Sequence, residues 1–184
     1  MAKRSTLYKN PIISNKLMLQ VAQKNVKALD VLYQKTSYAV FGFALSILKD
    51  KAKAEDVMQE VYLKVFEKAH TYSNQQKPMA WILTITKNLC YMEFRKKENQ
   101  TVSIDSFYTL EQGGNEFKQI EDNIILSKVM KILNEEERQI VVMHAVAGLK
   151  HKEIGGLLNL PLSTTLSKYH RAMKKLKGEV EHEK

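Results

Sequence analysis

The chain has a single cysteine, Cys90, among its 184 residues, so an internal disulfide framework is excluded. Its five histidines are scattered and share no zinc spacing with that cysteine, so neither a metal nor another cofactor is expected. Proline is scarce, at three residues, which favours helix throughout. No apolar run approaches membrane-spanning length, and the opening MAKRSTLYKNPIIS lacks the apolar core of a secretory signal. A cytoplasmic protein is expected. Also missing are paired carboxylates at metal spacing, a glycine-rich phosphate loop and any Ser/His/Asp or Cys/His arrangement, which argues against an enzyme. Cys90 sits beside Leu89 in a helical repeat, where a packed thiol is expected rather than a nucleophile.

What is present is 44% hydrophobic content, enough for real cores, and an excess of base: 29 Lys and Arg against 20 Asp and Glu, a net charge of +9. That balance favours a polyanionic partner over an acidic small substrate. The charge is unevenly spread. Residues 101–122 carry one lysine against five acids, whereas 1–100 carry 17 bases against eight acids and 123–184 carry 11 against seven. With Gly113-Gly114 and no helical periodicity, the acidic stretch reads as a flexible linker. The expected plan is all-α: a loose arm (1–15), a helical domain (16–97), the linker (98–123), a second helical domain (124–178) and a frayed tail (179–184).

Within residues 16–48, Leu17, Val21, Leu29, Leu32, Tyr38, Phe41, Leu45 and Leu48 recur at helical intervals, giving two helices with a boundary near Lys24 to Lys27. In residues 53–66, Val57, Val61 and Val65 form one i,i+4 row, and Met58, Tyr62 and Phe66 form the row beside it. Glu55, Asp56, Gln59 and Glu60 cluster in the first turns of that helix. They either complement its macrodipole or offer a face to a partner. A polar loop follows at 71–77, and Pro78 occupies a first-turn position. The next helix, 79–97, has a core stripe of Trp81, Ile82, Ile85, Leu89 and Met92. Its polar stripe is Thr84, Lys87, Asn88, Tyr91 and Arg95. Donors, an aromatic ring and an adjoining polar loop suit a nucleic-acid strand with unstacked bases.

Beyond the linker a helix is expected over 124–133. Asn134 should cap the next, with Glu135, Glu136 and Glu137 in its first turn and Ile140, Val141, Val142 and Val146 on its core side. Residues 148–175, GLKHKEIGGLLNLPLSTTLSKYHRAMKK, hold two helical patterns around a break at Pro161. The first buries Ile154, Leu157 and Leu158, and Gly155 and Gly156 imply close helix packing. The second starts at Ser163 as N-cap and turns Leu166, Tyr169 and Met173 inward. Outward it shows Thr164, Thr165, Ser167, Lys168, His170, Arg171, Lys174 and Lys175. This is a helix-turn-helix whose second helix carries the cations and hydroxyls that meet phosphates and major-groove base edges.

At this point the residues resemble a known family. Residues 54–66, AEDVMQEVYLKVF, resemble the core-polymerase-binding segment of bacterial sigma factors. Residues 80–95, AWILTITKNLCYMEFR, look like their promoter-melting and minus-ten helix. LNEEER at 133–138, followed by 148–175, resembles their minus-thirty-five lobe. Only the second and fourth conserved regions of the sigma-70 family have counterparts, as in its extracytoplasmic-function group. The resemblance implies an alternative initiation factor, not an enzyme. Its partners would be core RNA polymerase (the β′ coiled coil and β flap), promoter DNA and an anti-sigma factor, with no small-molecule substrate. Residue by residue it implies polymerase contacts at Glu55, Asp56, Gln59 and Glu60, which favours the docking reading of that cluster. Minus-ten contacts fall on Tyr72, Asn74, Gln75, Gln76, Lys77, Lys87, Asn88, Tyr91 and Arg95. Minus-thirty-five contacts fall on His144, Ser163, Thr164, Thr165, Ser167, Lys168, His170, Arg171 and Lys174. In the family the loop corresponding to 72–77 captures an extruded base, whose flipping costs on the order of a few kcal/mol, repaid by stacking and edge hydrogen bonds. Leu166 departs from a basic residue common in relatives, His144 from an arginine, and Thr86-Lys87 from an Ala-Arg pair. These bear on promoter sequence rather than on class. The rival reading, a helix-turn-helix regulator acting without polymerase, leaves residues 54–66 and 71–95 unexplained.

Overall fold

The computed structural model describes residues 13–74, 76–98 and 131–182. Most of the expected arm, the linker from residue 99 onward, most of the helix expected over 124–133, and Gln75 therefore lie outside the described residues. Among those described, every regular element is helical. The first lobe comprises α1 (Asn15–Ala22), α2 (Val26–Leu48), α3 (Lys51–Lys68), a 3₁₀ turn (Ala69–Thr71) and α4 (Pro78–Glu98). The second comprises α5 (Glu135–Val141), a π-helical segment (Val142–Val146), α6 (His151–Leu158) and α7 (Leu162–His182).

Local chemistry sets these boundaries. Ser14 caps α1, Asn25 caps α2 and Asp50 caps α3, each side chain accepting a backbone N–H of the first turn. Such caps are worth about 1 kcal/mol apiece. Between helices the chain reverses at Lys24 and Lys49, which adopt left-handed φ values of 63° and 56°. Lys24 turns its ammonium back onto the carbonyl of Phe66, and lies 4.8 Å from that residue's ring centroid. It thereby satisfies the C-terminal end of α3, where free carbonyls favour a cation. Asn134 closes a full capping box on α5, donating its N–H to the Glu137 carboxylate and accepting the N–H of Glu137.

Of the helical rows read from α3, Val57, Met58, Val61, Tyr62 and Val65 are buried and Phe66 is half-buried. They pack against Leu32, Val40, Phe43 and Ile47 of α2 and Ile82, Leu83 and Leu89 of α4, within one continuous apolar cluster. Tyr62 and Thr36 pair within it, hydroxyl to hydroxyl at 2.7 Å, and Thr36 passes its own proton to the carbonyl of Leu32. Burial pushes the Tyr62 phenol well up from its ordinary range. The cluster does not stop at the first lobe. Ile140, Met143 and Ile154 are as fully buried, and α2 packs against α5 and the π segment as well as against α3 and α4. α2 is thus the shared wall between the two lobes.

Two expectations about faces are corrected. On α4 the inward residues are Met79, Ile82, Leu83, Thr86, Leu89 and Cys90, while Met92, placed in the core from sequence, is 51% exposed. The stripe curves toward Leu83 and Cys90 because both α2 and α3 cover this helix. α7 begins at Leu162, not after a Ser163 cap: the carbonyl of Pro161 accepts the N–H of Thr165, and Ser163 stands inside the first turn. The same helix continues to His182, past the point at which a frayed tail was expected.

Cys90 is fully buried, and burial pushes its thiol up to about 12. Reactivity belongs to the thiolate, so the folded protein should resist alkylation at pH 8 and react only after denaturation. Mass spectrometry after a short iodoacetamide pulse would check this. Rapid labelling of the native chain would contradict the packing described.

Candidate nucleic-acid and polymerase interfaces

Three exposed polar rows remain once the core is assigned. The first lies on α3, where Asp56 and Gln59 are exposed, Glu60 is half-buried, and Glu55 is held by Lys51 at 3.9 Å. Leu63 continues this row one turn further and is 72% exposed, more than any other large apolar side chain described. Sequence reasoning passed over it, although an apolar residue off both apolar rows was a visible signal. An apolar centre rimmed by acids and amides has the composition of a protein-docking patch.

The second row runs along α4. Thr84, Asn88, Tyr91 and Arg95 are all exposed and lie on one face at three- and four-residue spacing. Lys87, beside them, is half-buried; its ammonium reaches 6.0 Å from the Tyr91 ring centroid and donates to the carbonyl of Leu157 in α6. The loop that opens this face is closely tied. Tyr72 is only 9% exposed, with its ring edge-on to Trp81 at 5.7 Å and its hydroxyl within hydrogen-bonding distance of the Gln76 carbonyl (2.6 Å) and of Asn15 (2.7 Å). Tyr72 thus shapes the loop and leaves little of its own surface open. Asn74, Gln76 and Lys77 remain exposed. Lys77 forms an ion pair with Glu153 of α6. Burial pushes the Glu153 carboxyl up, and the Lys77 ammonium together with the Lys150 backbone N–H outweighs it, holding the group below its usual value. Thus two lysines of the first lobe, Lys77 and Lys87, are engaged by the first helix of the helix-turn-helix.

The third row is on α7. Ser163, Ser167, His170 and Lys174 are exposed at spacings of four, three and four, with Arg171 alongside. Thr164 is half-buried at the edge of this row, and Ser167 bonds back to the carbonyl of Ser163 at 2.9 Å. Thr165 is corrected: it is fully buried, its hydroxyl lying 3.1 Å from the Pro161 carbonyl and against Gly155, so it cannot reach DNA. Lys168 pairs with Glu136, and Lys175 grips the buried Glu137 carboxylate at 2.7 and 2.9 Å, so these cations brace α7 against α5. His144 donates its Nδ1–H to the carbonyl of Leu149, and its ring packs 4.2 Å from His151 and 4.9 Å from Tyr169. It lies inside the helix-turn-helix support rather than on the outer row.

The angle between α6 and α7 is set by a short turn. Asn159 adopts a left-handed conformation (φ 55°), and its N–H and that of Leu160 both return to the carbonyl of Gly155. Asparagine tolerates that conformation better than most residues with a side chain. No helix among the described residues is long and apolar enough to cross a membrane.

Comparison with known proteins agrees with this arrangement. Residues 32–100 match Sigma-70 region 2, and residues 124–176 match Sigma-70, region 4. Among curated relatives, the ECF RNA polymerase sigma factor SigM of Bacillus subtilis is 29% identical over 82% of this chain and 93% of its own length. SigK of Mycobacterium sp. (strain KMS) is 26% identical over 88% of each chain. Among solved structures, CnrH in complex with the cytosolic domain of CnrY covers 92% of this chain and 97% of its own, at 19% identity and a TM-score of 0.62. The sigma factor RpoE in complex with the anti-sigma factor NepR, from Bartonella quintana, covers 84% and 98%, at 18% identity and a TM-score of 0.59. With both regions matched in order and these relatives spanning nearly the whole chain, the protein belongs to the extracytoplasmic-function group of the sigma-70 family.

Proposed function

We propose that the protein acts in the cytoplasm as an alternative initiation factor, with each exposed row serving one partner. The face of α3 formed by Asp56, Gln59, Glu60 and Leu63 docks core RNA polymerase. The loop 72–77 and the Thr84–Asn88–Tyr91–Arg95 face of α4 receive the opened minus-ten strand. The α7 row of Ser163, Ser167, His170, Arg171 and Lys174 reads the minus-thirty-five duplex. What supports this assignment is one observation: the three rows stay exposed after the core is closed, and they fall in the order in which the family uses its regions. The exposed side chains suit their tasks. Arginine and lysine neutralise phosphate, hydroxyls and histidine reach base edges, and Tyr91 offers a ring on which a base can stack. An anti-sigma factor is a further partner on this reading, as NepR is for its sigma factor in the Bartonella quintana complex. No catalytic role falls to any residue.

The test is run-off transcription on fragmented genomic DNA of the source organism, with core polymerase and with or without this protein. Discrete new starts sharing two spaced upstream elements are expected. Duplex binding without new starts would replace this reading with that of a regulator acting alone. Arg171→Ala should weaken promoter-duplex binding and lower the slope of log affinity against log salt by about one, as loss of one phosphate contact does. An unchanged slope with unchanged sequence preference would remove Arg171 from the interface.

A further inference from the structure

We propose that Asn15 is a positioning residue for base recognition: from the first turn of α1 it clamps the 72–77 loop, and so fixes how that loop's amide side chains meet an extruded base. The inference rests on the reading of this loop as the minus-ten base-capturing element. It goes beyond that reading because Asn15 lies outside the matched region 2 and 57 residues from Tyr72 in sequence.

The loop is a short irregular span between the 3₁₀ turn and α4. Its backbone bonds among described residues are Tyr72 N–H to the Ala69 carbonyl, Gln76 N–H to the Ser73 carbonyl and Trp81 N–H to the Lys77 carbonyl. Asn15 adds bonds that tie this span to α1, at the end of the loop opposite the Lys77–Glu153 ion pair with α6. Its Oδ1 accepts from the Tyr72 hydroxyl at 2.7 Å, and its Nδ2 donates to the Asn74 carbonyl at 3.3 Å. The same hydroxyl lies 2.6 Å from the Gln76 carbonyl, so its single proton is shared between Asn15 and Gln76. The backbone carbonyls of Asn74 and Gln76, the two described residues of the loop with amide side chains, are thus both tied through one two-residue clamp. The clamp is itself anchored. Asn15 follows the Ser14 cap, whose hydroxyl accepts the Leu17 N–H at 3.2 Å, and Tyr72 is packed edge-on to Trp81. An amide suits this place because one group must both accept from a phenol and donate to a carbonyl. Discrimination by hydrogen bonds to a base edge requires donors and acceptors held to within a fraction of an ångström, which an untied loop does not provide.

The test compares wild-type, Asn15→Ala, Asn15→Asp, Tyr72→Phe, the Asn15→Ala/Tyr72→Phe double variant and Asn74→Ala. Each is assembled as full chain with core polymerase on promoters differing at single minus-ten positions. Affinity for core is measured alongside. Asn15→Ala should compress the spread between preferred and disfavoured bases by about threefold to tenfold, the range one or two hydrogen bonds supply. Its core affinity should equal wild type. Asn15→Asp, which keeps the acceptor and loses the donor, should fall between. The double variant should lose less than the sum of the two single losses, since the Asn15–Tyr72 bond is common to both. Equal loss on every promoter with an unchanged base ranking would reduce Asn15 to a structural residue and overturn the proposal. Compression in Asn74→Ala but not in Asn15→Ala or Tyr72→Phe would refute the clamp and leave the loop's role standing. No compression in any of them would remove the loop as the reader and the clamp with it.

Discussion

Replacing Asp56 and Glu60 together by alanine is expected to weaken binding to core polymerase by one to two orders of magnitude while leaving the thermal midpoint within a few degrees of wild type. The expectation follows from the two sides of α3. Val57, Met58, Val61 and Tyr62 are buried, so the fold draws its hydrophobic stabilisation from the opposite face. Asp56 is exposed and Glu60 half-buried, and exposed positions away from caps and cores change stability by about 0.5 kcal/mol or less. Interfaces concentrate their energy in a few central residues, each worth about 2 kcal/mol or more when truncated. Leu63 is the apolar neighbour of this pair, and Leu63→Ala should produce a loss of the same kind. Fluorescence anisotropy against core, with melting curves of the free protein, separates the two effects. A double variant with normal core affinity would move the docking site off α3.

Gly155→Ala should uncouple the helix-turn-helix. A Cβ at this position would stand 2.7 Å from the Leu160 carbonyl oxygen and 3.1 Å from the Thr165 hydroxyl. The first contact is with backbone in the turn itself, so relief requires α6 and α7 to move apart. Overpacking of this kind costs about 1–3 kcal/mol. It also misplaces the exposed row of α7, so promoter-duplex affinity should fall together with stability. Gly156 supplies the control. A Cβ there meets nothing within 4 Å, and replacing glycine by alanine in an open helical position gains about 1 kcal/mol of propensity. Gly156→Ala should therefore melt higher than wild type and bind DNA as before. Two glycines, one residue apart, should give opposite signs. If both variants melt and bind alike, the close approach at Gly155 is not what sets the angle of α7.

How much of this was readable in advance depended on whether a neighbour in sequence carried the signal. The α3 rows, the Asn134 cap and the boundary near Lys24 are local, set by periodicity and capping, and the structure has them where the sequence places them. Faces fixed by which helix lies opposite were harder. On α7 the fully buried side chains are Thr165 and Ala172, seven residues apart, with Tyr169 and Leu176 half-buried beside them. That stripe is offset by one residue from the Leu166–Tyr169–Met173 pattern. The small residues were overlooked because they carry little hydrophobic weight, yet small side chains are what allow α6 to approach. The clamp between Asn15 and Tyr72 had no local signature at all. Its partners meet only because α1 returns over the 3₁₀ turn after α3. Lys168 and Lys175 look alike in sequence to Arg171 and Lys174. Only the position of α5 turns the first two into braces and leaves the side chains of the other two exposed.

On the proposed assignment of Lys77 and Lys87 to the minus-ten strand, their engagement by Glu153 and by the end of α6 ties the reading of one promoter element to the freedom of the other lobe. A strand that takes both lysines must first have them, so its measured affinity is the intrinsic affinity scaled by the fraction of molecules in which α6 has let go. If that fraction were about one in a hundred, affinity for the strand would be about a hundredfold below its intrinsic value. The dependence is reciprocal: whatever holds α6 away by binding the second lobe strengthens the first lobe's hold on DNA by the same factor. If the minus-thirty-five duplex is what holds α6 away, the proposed assignments make these two contacts a link between the two halves of a promoter, without any residue touching both.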